Sequence, residues 1–179
     1  LERVAYHEIG HAIAAELIRP GSVAVVTVTP RGRALGYMRQ APTDDQYLYT
    51  LEELRGQIAS LLAGAAAEEI VFGSRSTGSA ADFQQAAELA ERIVFAGMSR
   101  LGIVHKDRLA PNVLHDEVQH ILHEEHQRVL EWLQAHRALL DALARRLVEE
   151  ERVDGDELRA RLREAADEAA GRPPTTRTV

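Results

Sequence analysis

The chain opens on a helical pattern: Val4, His7, His11, Ala14 and Ile18 recur on one face until Pro20-Gly21 ends it. A β-branched run, SVAVVTVT from Ser22 to Thr29, follows, and Pro30-Arg31-Gly32 forms a turn from which Ala34 to Arg39 can return as a second strand. A small sheet or hairpin is therefore expected near residues 22–39. Polar residues with a proline and an Asp pair then mark a loop over 41–49. Thr50 can cap a second helix with Glu53, and Leu51, Leu54, Ile58, Leu61, Leu62, Ala65 and Ile70 define that helix. The segment FGSRSTGSA, Phe72 to Ala80, holds too much Gly and Ser for a regular element and predicts a loop. It leads into a third helix over about 81–98, with Phe83, Ala87, Ala90 and Val94 on its face.

Patterning weakens around Gly102 and Pro111 and then resumes. A long helix over about 116–134 is expected to bury Val118, Ile121, Val129 and Leu133, and another spans about 137–150. The run Glu149 to Arg152 reads as a charged helix terminus, and Asp154-Gly155 breaks the pattern. A short amphipathic helix carries Leu158 and Leu162, and the tail 171–179, with its paired prolines, is expected to be disordered. The fold class that follows is mainly α, with a small β-sheet and a helical C-terminal half.

One motif carries chemistry. His7-Glu8-Ile9-Gly10-His11 is H-E-x-x-H, whose spacing on a helix sets two imidazoles one turn apart on one face, where they can share a tetrahedral zinc. Glu8 is poorly placed to be a ligand but well placed to take a proton from an attacking water. Gly10 lies inside the motif, where bulk could obstruct close packing. The same pattern can arise by chance; its place in an amphipathic helix is what favours chemistry. A catalytic zinc needs a third protein ligand, and Glu68, Glu69, Asp82 and His105 are the candidates. Glu68 and Glu69 sit in an apolar helix, where a carboxylate pair is costly to bury without a cation or a hydrogen bond. Asp82 could equally be a capping carboxylate at a helix start. His115, His120, His123 and His126 alternate with Glu and Gln on what reads as a solvated face rather than a second metal site.

Composition narrows these readings. No cysteine is present, so disulfides, thiolate ligands and cysteine nucleophiles are excluded, and His and carboxylate are the strong ligands that remain. A net charge of -7 argues against a general nucleic-acid-binding surface. No apolar run is long enough to cross a bilayer, so the chain reads as soluble as given. It starts at Leu1 almost directly in a helix, as if cut from something longer.

Five ordered segments, VAYHEIGHA, TPRGRALGY, AAAEEIVFG, STGSAADF and FAGMSRLG, resemble the FtsH-type ATP-dependent zinc metalloproteases, and LLDALARRLVEEERVDGDELRARL is similar to that family's closing helices. The resemblance implies a zinc endopeptidase domain over 1–170, with a catalytic part over 1–102 and a helical C-terminal part over 112–170. It implies one zinc per chain held by His7, His11 and Asp82, Glu8 as the general base, and Glu68 orienting a ligating His. The family commonly has Asn where Ala81 stands and Ala where Ile9 stands. Ala34, Leu35, Gly36 and Tyr37 resemble the strand against which unfolded polypeptide substrates are laid. Further implications are a homo-oligomer in the form of a six-membered ring, a parent protein at the bacterial inner membrane with this domain cytoplasmic, and ATP used only by a module absent from this chain, which has no G-x-x-x-x-G-K-[ST] loop. A naturally separate, ATP-independent peptidase and a non-catalytic oligomerisation module of the same fold are the competing readings, beside a zinc hydrolase of small peptides.

Overall fold

A computed structural model of the protein describes residues 1–28, 37–40 and 48–172. Helix α1 (Glu2–Ile18) packs against α2 (Leu51–Phe72), α5 (Arg137–Glu150) and strand β1 (Val23–Thr27). The spacing of its residues predicts one buried face, yet Ala5, Tyr6, Ile9, Ala12, Ile13, Ala14 and Ala15 are all buried, so α1 is enclosed round most of its circumference. Small residues allow that enclosure, because they let neighbouring backbones approach. A Cβ on Gly10 would lie 2.7 Å from both the Ala63 carbonyl oxygen and the Ala67 methyl of α2. Gly10 is thus required by contact between the two helices. Ile9, despite its bulk, is fully buried in the same core.

Helix α2 begins in the expected capping box: Thr50 Oγ1 accepts the Glu53 N–H at 3.2 Å while the Glu53 carboxylate accepts the Thr50 N–H at 2.7 Å. It forms a wall shared by two apolar clusters. Ala59, Ala63, Ala66 and Ala67 join α1, β1 and α5 on one side. Leu54, Ile58 and Leu62 join α3 (Ala80–Phe95) and α4 (Pro111–Ala135) on the other. Helix α3 ends at Phe95, earlier than its pattern suggests, and α4 begins at Pro111, well before the predicted start. Proline reads as an interruption in a sequence, but in the first turn of a helix its missing N–H loses no bond.

Among the described residues the sheet has three strands in the order β2-β1-β3, both pairings antiparallel, with β2 at Tyr37–Gln40 and β3 at Arg152–Asp154. The hairpin was expected and β3 was not. Helix α5 stops at Glu150, Glu151 takes a left-handed backbone, and Arg152 already pairs with Thr27, so the charged run is only in part a helix terminus. Val153 is the one buried residue of β3, too little for a strand pattern in the sequence. Helix α6 (Gly155–Ala169) follows, and its Arg159 donates to the buried Glu16 carboxylate of α1 at 2.8 Å. The predicted turn Pro30-Arg31-Gly32, most of the loop over 41–49 and tail residues 173–179 lie outside the described residues. Among the described residues no helix is long and apolar enough to cross a membrane.

Candidate metal centre

Helix α1 turns His7 and His11 to one side, their rings edge to face with centroids 4.7 Å apart. A matching stripe faces them from α2: Ser60, Gly64 and Glu68, spaced one helical turn apart. His11 Nδ1 lies 2.7 Å from the Ser60 carbonyl oxygen, and His7 Nδ1 lies 2.8 Å from Glu68 Oε1. A carbonyl and an ionised carboxylate can only accept, so each Nδ1 carries its hydrogen and each Nε2 presents a lone pair. The two Nε2 atoms are 3.1 Å apart. Between them Gly64 leaves room, since a Cβ there would sit 2.5 Å from His11 Nε2 and 2.7 Å from His7 Nε2.

Helix α3 brings the third group. Asp82 Oδ2 lies 3.3 Å from His11 Nε2 and 3.5 Å from His7 Nε2. Three acceptor atoms so close repel one another unless a cation or a proton lies between them. Ligands about 2.0–2.1 Å from a tetrahedral zinc stand about 3.3 Å apart, so the observed spacings suit that ion without rearrangement. His7, His11 and Asp82 form the one such three-ligand group among the described residues, their ligand atoms within 4.8 Å of one another.

The electrostatics agree with this donor set. Burial pushes the Asp82 carboxyl up, but hydrogen bonds with His11 and His7 outweigh it and hold Asp82 well below the usual carboxylate range. Burial likewise opposes ionisation of Glu68, and bonds from Arg3, Ser76 and His7 more than offset it. For His7, desolvation favours the neutral ring while Asp82 and Glu68 pull the other way, and the net shift is upward. Glu8 differs: it is half-buried, has no hydrogen-bond partner among the described residues, and burial raises its pKa against the lowering influence of His11 and His7.

The remaining candidates lie elsewhere. Glu69 pairs with Arg75 and with His126 Nε2, the latter at 3.2 Å. His105 caps a single 3-10 turn by accepting the Asp107 N–H. His115 and His123 are exposed, and His120 pairs with Glu124 at 2.9 Å. The solvated-face reading of that helix needs correction, because its Glu117 and Glu125 are buried, reached by Arg100 and Arg55 respectively. Ala34, Leu35 and Gly36 lie outside the described residues, and Tyr37 opens β2 opposite Thr27. Sequence reasoning missed Ser60, Gly64, Arg3 and Ser76. The glycine inside a helix, four residues before Glu68, was the available signal.

Comparison with known proteins gives the same direction. Residues 2–112 match peptidase family M41. The chain is 42% identical to an ATP-dependent zinc metalloprotease FtsH 4 of Synechocystis sp., covering 87% of this chain and 28% of that protein. It is 40% identical to an ATP-dependent zinc metalloprotease FtsH of Methylococcus capsulatus, covering 92% of this chain and 29% of that protein. An FtsH of Syntrophus aciditrophicus is 41% identical over 88% of this chain and 24% of its own length. The chain thus spans less than a third of the length of these relatives. With more than half of its residues matched to one family and a two-histidine, one-aspartate centre on the helices that carry the match, the chain belongs to peptidase family M41.

Proposed function

We propose that the protein is a zinc-dependent endopeptidase that hydrolyses peptide bonds of unfolded polypeptides. The observation that carries this reading is the convergence of His7 Nε2, His11 Nε2 and Asp82 Oδ2 beside a carboxylate, Glu8, that the fold leaves unpaired among the described residues. His7, His11 and Asp82 hold one zinc per chain. When bound, zinc supplies Lewis acidity that makes water nucleophilic near neutral pH and polarises a peptide carbonyl. Glu8 takes the proton of the attacking water and delivers it to the departing amine nitrogen, and its raised pKa makes it the stronger base for the first transfer. Glu68 and the Ser60 carbonyl fix the orientation of the two imidazoles by accepting their Nδ1–H groups.

Substrate binds as an extended strand. Strand β2 lies at one end of the sheet order, with β1 on its only paired side among the described residues; it opens at Tyr37, which Ala34, Leu35 and Gly36 precede in the sequence. Backbone hydrogen bonding at such an edge gives affinity with little dependence on side chains, which suits broad specificity. The relatives named above are ATP-dependent, and the chain accounts for under a third of their length. In this reading the whole protein uses ATP through a separate module, assembles as a six-membered ring, and sits at the bacterial inner membrane with this domain cytoplasmic.

The test is zinc content together with cleavage of an unfolded protein. Wild type is expected to carry one zinc, Asp82→Ala to lose it, and Glu8→Gln to keep zinc while losing cleavage. Zinc retained at full affinity by Asp82→Ala would overturn the ligand set. A stable wild-type protein that takes up no zinc would favour an assembly module instead.

A further inference from the structure

The two stripes that build the centre extend one turn beyond it. On α1 the series is Arg3, His7, His11, and on the antiparallel face of α2 it is Glu68, Gly64, Ser60. Arg3 is therefore to Glu68 what His7 is to the space over Gly64, the next rung of the same ladder. Arg3 Nη1 donates to Glu68 Oε2 at 2.7 Å and to the Ser74 carbonyl at 2.9 Å, and Nη2 donates to Ser74 Oγ at 3.1 Å. Its guanidinium carbon lies 4.5 Å from the centroid of the Phe72 ring.

Glu68 is 1% exposed. Its Oε1 is taken by the His7 Nδ1–H and the Ser76 hydroxyl, which leaves Oε2 to Arg3. Without the guanidinium, Oε2 is a buried acceptor that has lost its Arg3 donor, and the carboxylate loses the contact that sets its orientation. The His7 ring would then lose the fixed acceptor that holds Nδ1–H and aims Nε2 at His11 and Asp82. The bonds to Ser74 also tie the start of α1 to the loop that leads into α3, the helix that carries Asp82.

We propose that Arg3 is a positioning residue of the metal centre: its fork holds the Glu68 carboxylate in place against His7 and anchors the loop that leads to Asp82. This inference rests on the reading that His7, His11 and Asp82 bind zinc. Among the described residues no hydrogen bond or ion pair joins Arg3 to His7, His11 or Asp82.

The experiment measures zinc affinity by chelator competition, and the visible spectrum of the cobalt-substituted protein, for wild type, Arg3→Met, Arg3→Lys and Asp82→Ala. Arg3→Met keeps an apolar stem over Phe72 but removes the charge and the donors. It is expected to bind zinc about 10–100-fold more weakly, with a shifted cobalt spectrum. Arg3→Lys restores charge without the fork and is expected between the two. A folded Arg3→Met that binds zinc within about twofold of wild type, with an unchanged cobalt spectrum, overturns the inference. Should Arg3→Met fail to fold, wild-type affinity in Arg3→Lys overturns it and a several-fold loss with an altered spectrum supports it. Asp82→Ala separates the two levels. If it loses zinc while Arg3→Met keeps it, only the role of Arg3 fails; if it keeps zinc at full affinity, the site reading fails and takes this inference with it.

Discussion

Two buried carboxylates stand at opposite ends of the chemistry. Glu16 is 3% exposed and Glu68 1%, and each is met by one arginine. Glu16 accepts the backbone N–H groups of Gly21 and Val23 and the Arg159 guanidinium, all at 2.8 Å, and its network ends in a backbone carbonyl and Asp156. Both Glu16 oxygens there are met by groups of the fold. The network of Glu68 runs on through His7 to an Nε2 lone pair that faces another acceptor. A buried carboxylate by itself therefore identifies nothing. What distinguishes a site is a chain of hydrogen bonds that ends on an atom whose last coordination the protein withholds.

The comparison can be broken or sharpened by substitution. The largest effect is expected at Glu8, beside the open end: Glu8→Gln should lower peptide-bond hydrolysis by about 10²–10⁴-fold with zinc content unchanged, read by parallel cleavage and metal assays. Next comes Glu16→Ala, which strands Arg159 and two backbone donors. It should cost about 3 kcal/mol in denaturant unfolding while the folded protein keeps its zinc affinity. Glu68→Gln should show the reverse, a smaller loss of stability with zinc affinity down about 10–100-fold by chelator competition. Equal zinc loss in both variants would erase the distinction.

The smallest effect belongs to acid stability. Arg100 holds the Glu117 carboxyl below its ordinary value of 4.5, outweighing the effect of burial. A depressed folded pKa means that its stabilisation is complete above that ordinary value and is lost as pH falls through the folded one. Glu117→Gln should thus flatten the decline of unfolding free energy below about pH 4.5, measured by denaturant titration across that range.

Much of this architecture could be read from local signals. The i, i+4 histidines, the Thr50 capping box and the Gly-rich lead into α3 each need only neighbouring residues to be interpreted. The FtsH-type resemblance, rather than geometry, selected Asp82 from among Glu68, Glu69 and His105. What stayed hidden depends on partners far along the chain. Strand β3 has a single buried valine and exists because β1 offers it an edge. Glu117 and Glu125 share the charged face of α4 with exposed neighbours; Arg128 pairs with Glu125 from the same helix, but Arg100 and Arg55 reach the two carboxylates from outside it. Gly64 carries no local conformational demand; its reason lies in two rings on another helix.

The Glu16–Arg159 bond spans 143 residues. At a synthesis rate of about 5–20 residues per second, Arg159 is added roughly 7–30 s after the helix that carries His7, Glu8 and His11. Until then the end of that helix lacks the guanidinium that neutralises Glu16, and β1 lacks its third-strand partner. A nascent peptidase is a hazard to the chains around it. Completion of this one waits on a residue 143 positions further along the chain.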